Sequence, residues 1–192
     1  MTIRKRYSYH PEQNRSGFGF DSRRRRMRFI SMADLILRRA KEEDFPRVVE
    51  LWIEMMDYHL SFDPRFELAA NHEESYLEYL RSIQENYDYA IFVADREGTI
   101  VGYTIGMILS NPTVFALGRY GFIAEMAVAA SEQRSGCGGK LWEHIRRWFN
   151  RRGITVIQLN VSPRNERGYR FWQKVGFNPF LHIMWHNIPK DL

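Results

Sequence analysis

The residues that could do chemistry gather in the second half of the chain. Gln133-Arg134-Ser135-Gly136-Cys137-Gly138, followed by Gly139 and Lys140, forms a glycine-rich stretch between an apolar run and an amphipathic one. Glycines in such a turn let the main chain approach a ligand. Consecutive N–H groups at a helix start favour an anion such as phosphate. Two familiar phosphate loops fail on spacing. A Walker loop needs Gly at 134 and Ser or Thr at 141, where Arg134 and Leu141 stand, and a dinucleotide fingerprint needs its third glycine at 141. An ordinary glycine-rich turn is the plain alternative. Glu125 is a lone carboxylate in the apolar run Phe122 to Val128. It could take a proton from a reacting group, or simply pair with an arginine such as Arg119. His59, near the end of a helical pattern, is a second candidate base or a structural residue. Nothing marks Cys137 as a nucleophile. The other histidines have no metal-ligand spacing; His182 and His186 stand four apart, but on an expected strand. No metal site is expected.

These groups need a scaffold, and the apolar pattern supplies one. Leu35-Ile36-Leu37-Arg38 reads as a first strand, and Glu42 to His59 as a helix with Phe45, Val48, Val49, Trp52, Met55 and Met56 at helical spacing. Pro46 falls in its first turn, where proline is tolerated. Asp63-Pro64 breaks the pattern before a second helix over roughly 72–86. Ala90 to Ala94 and Thr99 to Leu109 predict a hairpin around Asp95-Arg96-Glu97-Gly98. Phe122 to Val128 is a further strand, and about 138–151 a helix. Ile154 to Leu159 is a strand, Asn165 to Val175 a helix, and Phe180 to Trp185 a last strand. The order β-α-α-β-β-β-α-β-α-β implies an α/β (α+β) fold with one mixed sheet flanked by about four helices.

Composition bounds the rest. A chain of 192 residues with 44% hydrophobic and 15% aromatic content can fill one core and leaves little room for a second. The single cysteine excludes an intramolecular disulfide and a Cys-rich zinc site. No apolar run approaches the ~20 residues of a membrane span, and no signal-peptide pattern opens the chain, so a cytoplasmic location is expected. The net charge of +5 is uneven. Residues 1–33 carry +7, residues 34–90 carry −8 and residues 91–192 carry +6. The first segment, with Arg23-Arg24-Arg25-Arg26 and no periodic apolar positions, reads as a disordered Arg-rich extension. The folded domain is expected over 34–192, with Met32 a candidate true start. Nucleic acid would be contacted, if at all, through that extension.

Several stretches together resemble the GCN5-related N-acetyltransferases. Gln133-Arg134-Ser135-Gly136-Cys137-Gly138 is similar to that family's Gln/Arg-x-x-Gly-x-Gly/Ala acetyl-CoA motif. Ile123-Ala124-Glu125-Met126-Ala127-Val128 resembles its splayed central strand. Asn165 to Phe177 resembles its second signature, Asn-x-x-Ala-x-x-Phe-Tyr-x-x-x-Gly-Phe. His59 and Asp63-Pro64-Arg65-Phe66 also look like bacterial members. The likeness covers about 34–186 and implies a mostly antiparallel sheet with a splayed acetyl-CoA-binding strand.

The resemblance implies acetyl-CoA-dependent transfer to a primary amine by direct attack in a ternary complex. Backbone amides from about Arg134 to Lys140, hence Arg134, Ser135, Gly136, Cys137, Gly138, Gly139 and Lys140 with Gln133 before them, would hold the pyrophosphate. Met126, Ala127 and Val128 would pair with the pantetheine arm. The N–H of Ala127 or Val128 would bond the thioester oxygen as it gains charge. Asn165 would contact the cofactor near its arm. The family's frequent tyrosine acid corresponds to Trp172, which could wall the thioester pocket or belong to the core; an indole N–H donates a hydrogen bond but exchanges no proton near neutral pH. Tyr169, one turn earlier, is a substitute acid, and solvent another. Glu125 would be the base. The first two helices would wall the acceptor, and the thirteen acids against four bases in residues 41–90 would favour a cationic amine or merely solvate those helices. A peptide or protein amine is a further acceptor class. The family is often dimeric, so a homodimer is expected. The substituted tyrosine also leaves room for a non-catalytic acyl-CoA sensor of the same fold.

Overall fold

The computed structural model describes residues 35–188. The Arg-rich extension expected over 1–33 lies outside them. The described elements run β1 (Leu35–Arg39), α1 (Phe45–Leu60), α2 (His72–Gln84), β2 (Tyr89–Arg96), β3 (Thr99–Ser110), β4 (Arg119–Val128), α3 (Cys137–Arg151), β5 (Ile157–Leu159) and α4 (Glu166–Lys174). The five strands form one sheet in the order β1-β2-β3-β4-β5. The first three pairings are antiparallel and the last, β4 with β5, is parallel. This is the mixed, mostly antiparallel sheet with four helices that the element order implies.

The β2–β3 hairpin closes through Glu97 and Gly98, both at positive φ (52° and 83°). That two-residue geometry matches the right-handed twist of the strands it joins. The sheet has a core on each face. On one, α1 and α2 bury Phe45, Val48, Leu51, Tyr76 and Leu80 against Val93, Tyr103 and Ile105. On the other, α3 buries Ile145, Trp148 and Phe149 against Ala90, Phe92 and Ile123. Both helices follow the i, i+3/i+4 apolar spacing of their sequences. Glycines let α3 lie close to the sheet: a Cβ at Gly106 would meet Ile145 Cδ1 at 2.6 Å, and one at Gly121 would meet Phe149 Cε1 at 2.6 Å. The approach fixes where the N-terminus of α3 stands relative to β4.

Two strand expectations change. The strand expected from Ile154 is regular only over Ile157–Leu159, with Ile154 buried in the preceding loop. The strand expected at Phe180 to Trp185 does not form: this stretch has no regular structure, and Phe180, Met184 and Trp185 are 82%, 90% and 72% exposed. A strand needs a ladder partner as well as β-prone residues, and none of the described strands pairs with this one. Pro179, which lacks an N–H, adds a missing ladder donor at its start. Trp185 instead lies under the Arg65 guanidinium, 5.4 Å from its ring centre.

Candidate functional site

The centre of the site is a place where β4 leaves its neighbour. A bulge interrupts the β3–β4 register, so that Ile105 faces Glu125 while Gly106 faces Ile123, leaving Ala124 as the extra residue. Such a bulge bends the strand and re-aims the residues beyond it. On its other edge β4 pairs with β5 over Gly121 to Ile123. Past Ile123 the two parallel strands part. The N–H of Ala129 donates to the Val101 carbonyl at 2.9 Å, and the register places Ala127 opposite Tyr103 and Val128 opposite Gly102. In an antiparallel ladder, bonded and non-bonded pairs alternate. Ala127 therefore spends its main chain on Tyr103, whereas Met126 and Val128 turn N–H and C=O into the gap. Of the two amides expected to meet a thioester oxygen, Val128 is open and Ala127 is committed to β3.

The glycine-rich turn stands at the mouth of this gap. Arg134 (φ 65°) and Gly136 (φ 88°) adopt left-handed backbone, and Gly136 caps α3. The first amides of a helix have no intrahelical acceptor, and those of Gly138 and Gly139 find none among the described residues. With the positive end of the helix dipole they make a ready anion cradle. The fold does not itself require these two glycines: a Cβ at Gly139 would meet nothing within 4 Å, and one at Gly138 would make ordinary contact with Phe171 at 3.5 Å. Open space where the protein tolerates a side chain fits a ligand that does not. A shallow depression beside the turn is lined by Leu37, Gly136, Gly139, Lys140, His144 and Arg147.

The side chains of the turn have other work. Cys137 is buried beside Ala94, Val101 and Leu141. Burial pushes its thiol up to about 11, so it is an inert core residue whose backbone alone belongs to the turn. Ser135 Oγ faces the Cys137 N–H at 3.4 Å. Gln133 donates to the Val128 carbonyl at 3.4 Å and accepts a short hydrogen bond from Arg167. Among the arginines of α3, Arg146 and Arg147 both hold Glu143, and just past its end Arg152 lies over the Tyr87 ring at 3.7 Å.

Asn165 caps α4, accepting from the Gly168 N–H at 2.8 Å, while its amide nitrogen sits 3.1 Å from His59 Nε2. The structure thus brings His59 to Asn165, across 106 residues of sequence. Phe66 stacks on the His59 ring (centroids 4.9 Å apart), and burial lowers its pKa below the usual imidazole value. Trp172 belongs to an aromatic cluster, 5.3 Å from Phe177 and 6.1 Å from Trp142 between ring centres. Its core reading is the one the packing supports. Tyr169, the substitute acid, makes no side-chain hydrogen bond among the described residues.

Glu125 projects to the opposite face of the sheet, toward α1 and α2. Arg119 does not pair with it; Arg119 holds Asp88 at 2.6 Å, 31 residues away in sequence. Instead, Tyr103 donates to Glu125 Oε2 at 2.8 Å, and Tyr76 donates a short hydrogen bond to the same oxygen. Burial lifts the Glu125 pKa above the ordinary carboxyl range, and the two tyrosine bonds pull it partly back. Trp52 stacks on Tyr76 with centroids 4.1 Å apart and planes 8° from parallel. Neither tyrosine nor the tryptophan stands out by motif. The one sequence signal was a tyrosine at each inward position, since a buried phenol needs a hydrogen-bond partner.

About half of the acids of residues 41–90, seven of thirteen, are held by cations elsewhere. Asp44 pairs with Arg38, Glu42 with Arg81, Glu50 and Glu54 with Arg47, and Asp63 with Arg65. Among the described residues no cluster of three His, Cys, Asp or Glu could hold a metal ion, and no helix is long and apolar enough to cross a membrane.

A strand that parts from its parallel neighbour, next to a glycine turn opening a helix, is the architecture of an acyl-CoA N-acyltransferase fold. The model of the acetyltransferase (GNAT) family matches residues 52–177, and the chain belongs to that family. Similar solved structures include a tetramutant of the BH1408 protein from Bacillus halodurans (TM-score 0.69, 18% identity, covering 80% of this chain and 99% of that one). Another is the aminoglycoside N-acetyltransferase AAC(6')-Iy in complex with CoA (TM-score 0.64, 16% identity, 80% and 94% covered). A third is the aminoglycoside 6'-N-acetyltransferase AAC(6')-Ih from Acinetobacter baumannii (TM-score 0.65, 13% identity, 81% and 98% covered). No curated protein matches the sequence significantly.

Proposed function

We propose that this protein is an acetyl-CoA-dependent N-acetyltransferase that acts on a primary amine by direct attack in a ternary complex. The observation that carries this reading is the gap between β4 and β5, with the glycine turn at its mouth and the Glu125 carboxylate reached through the same strand. Acetyl-CoA supplies an activated acyl thioester. The Gly138 and Gly139 amides bind its pyrophosphate, while the N–H groups of Ser135, Cys137 and Lys140 already donate within the turn and the first turn of α3. Met126 and Val128 pair with its arm as an added strand. The Val128 N–H donates to the thioester oxygen as negative charge develops there. An amine of pKa ~10 arrives as an ammonium ion. Glu125 takes one proton, directly or through a water molecule. The neutral nitrogen then forms the C–N bond as the C–S bond breaks, and the acylated nitrogen sheds its second proton to solvent to leave the neutral amide. Glu125 returns its own proton to solvent before the next turnover, and the departing thiolate recovers a proton from solvent. Trp172 cannot supply that proton; a thiol of pKa ~8.5 leaves tolerably without help.

The acceptor site lies between α1, α2 and β4, walled by Trp52 and Tyr76. Seven of the thirteen acids of residues 41–90 are ion-paired; beside the others, Glu125 and the aromatic faces supply affinity for a cation, which suits a small cationic amine. Aminoglycoside acetyltransferases share the fold, which makes amino sugars one class to assay beside polyamines and lysine peptides. The protein works in the cytoplasm, where acetyl-CoA is available. A homodimer is supported by the exposed apolar stretch Phe180 to Ile188 and by β5 being a short edge strand of the sheet. Sedimentation analysis of the full chain and of a variant with Phe180, Met184 and Trp185 changed to serine tests this.

Calorimetry with acetyl-CoA, followed by an amine panel read through thiol release, tests the main reading. Expected are saturable binding and turnover of at least one amine. Absence of binding overturns the assignment. Binding without any turnover favours the acyl-CoA sensor.

A further inference from the structure

Tyr103 is wholly buried among Phe45, Val48, Leu80 and Ile105, and Tyr76 is nearly so. Phenylalanine would fill either space without needing a polar partner, so packing gives no reason for two hydroxyls there. Both converge on one atom. Tyr103 Oη lies 2.8 Å from Glu125 Oε2, Tyr76 donates to the same oxygen, and the two hydroxyls are 3.3 Å apart. Oε1 receives no hydrogen bond among the described residues, yet it is not one of the sealed, unsatisfied polar atoms. It is therefore not completely sealed within the core. Trp52, stacked flat on Tyr76, fixes that ring from α1.

We propose that Tyr76 and Tyr103 are positioning residues that clamp Glu125 by Oε2, keep its carboxyl group ionised within an apolar wall, and leave Oε1 aimed at the acceptor amine. The proposal rests on Glu125 being the base. The titratable groups facing it are Tyr76 and Tyr79 from α2 and Tyr103 from β3. Among the described residues no cationic side chain acts on its charge state. Both clamping tyrosines are held in the protonated form well above their usual range by burial and by the Glu125 charge, so they act as fixed donors and exchange no proton with the amine. A carboxylate buried without a counter-cation depends on such donors to stay charged at neutral pH.

The test uses the full chain with 13C-carboxyl-labelled glutamate. The Glu125 resonance is assigned by its loss in Glu125→Gln and titrated in wild type, Tyr76→Phe, Tyr103→Phe and the double variant. Calorimetry with acetyl-CoA controls for folding, and Tyr76→Phe alone carries the test if Tyr103→Phe does not fold. The expected result is a midpoint raised by about one pH unit, a tenfold gain in proton affinity, in each single variant and by more in the double one. The acidic limb of kcat/KM should move the same way, with the alkaline plateau retained. A midpoint that stays at the wild-type value in both single variants overturns the clamp. If the midpoint moves but Glu125→Gln turns over like wild type, the clamp stands and the base assignment falls.

Discussion

Gly139 separates what the fold needs from what the ligand needs. It is the third residue of α3, its φ is unremarkable, and an added Cβ would meet nothing within 4 Å. Gly139→Ala therefore replaces a flexible residue in a helix without strain, which is worth about 0.5–1 kcal/mol. At roughly 2–4 °C per kcal/mol for a domain of this size, Tm should rise by about 1–4 °C. The same methyl group stands over the amide proposed to receive a phosphate oxygen. Losing one hydrogen bond to a charged group costs about 1.5–3 kcal/mol, or ~10- to 150-fold in Kd for acetyl-CoA. Gly106→Ala is the contrasting control. Its Cβ would fall 2.6 Å from Ile145 Cδ1 and 3.0 Å from Phe149 Cζ, overpacking that costs about 1–3 kcal/mol and lowers Tm. Scanning calorimetry and titration with acetyl-CoA read both quantities on both variants. Wild-type affinity in a stabilised Gly139→Ala protein would refute the cradle, because the methyl group would then occupy space the cofactor never uses.

Glu125→Gln should lower kcat by ~10²–10⁴-fold with acetyl-CoA affinity unchanged, measured by steady-state kinetics and calorimetry. It should also stabilise the protein at neutral pH. The folded pKa of Glu125 is raised, so the native state binds its proton more tightly and stability falls as pH rises through the unfolded and then the folded value. The gain from Gln should thus vanish below about pH 4 in urea titrations. Asp44 has the opposite sign. Arg38 grips it at 2.6 and 2.8 Å and the Lys41 N–H at 2.7 Å, which holds its carboxyl below the usual range. Asp44→Asn should cost about 2–3 kcal/mol near pH 7, a loss that shrinks as pH falls below about 4 and the wild-type carboxylate protonates. Cys137, buried and with its thiol pushed up to about 11, should react with a thiol reagent at pH 8 only as the protein unfolds. Rapid stoichiometric labelling of the native protein would contradict its packing.

The elements and the glycine turn were legible in the amino-acid order because local rules determine them. Helical spacing set α1 and α3, the Glu97-Gly98 pair set the hairpin, and the glycine turn declared itself between a strand and a helix. Glu125 drew attention as a charge in an apolar strand. Its partners did not, because Tyr76, Tyr103 and Glu125 meet across 49 and 22 residues of sequence, and a strand pattern does not say which far residue a side chain will reach. The same holds for the choice between Ala127 and Val128, which depends on which residues of β4 pair with β3, and for His59 meeting Asn165. The last strand failed for a related reason: apolar, β-prone residues at 180–185 specify a tendency, while a ladder requires an edge to receive it. Sequence by itself determined the family, the order of elements through α4 and the glycine turn, since these rest on neighbours in the chain. Only the tertiary structure decided which carboxylate oxygen is free and which amide is open, because register and burial are properties of segments brought together.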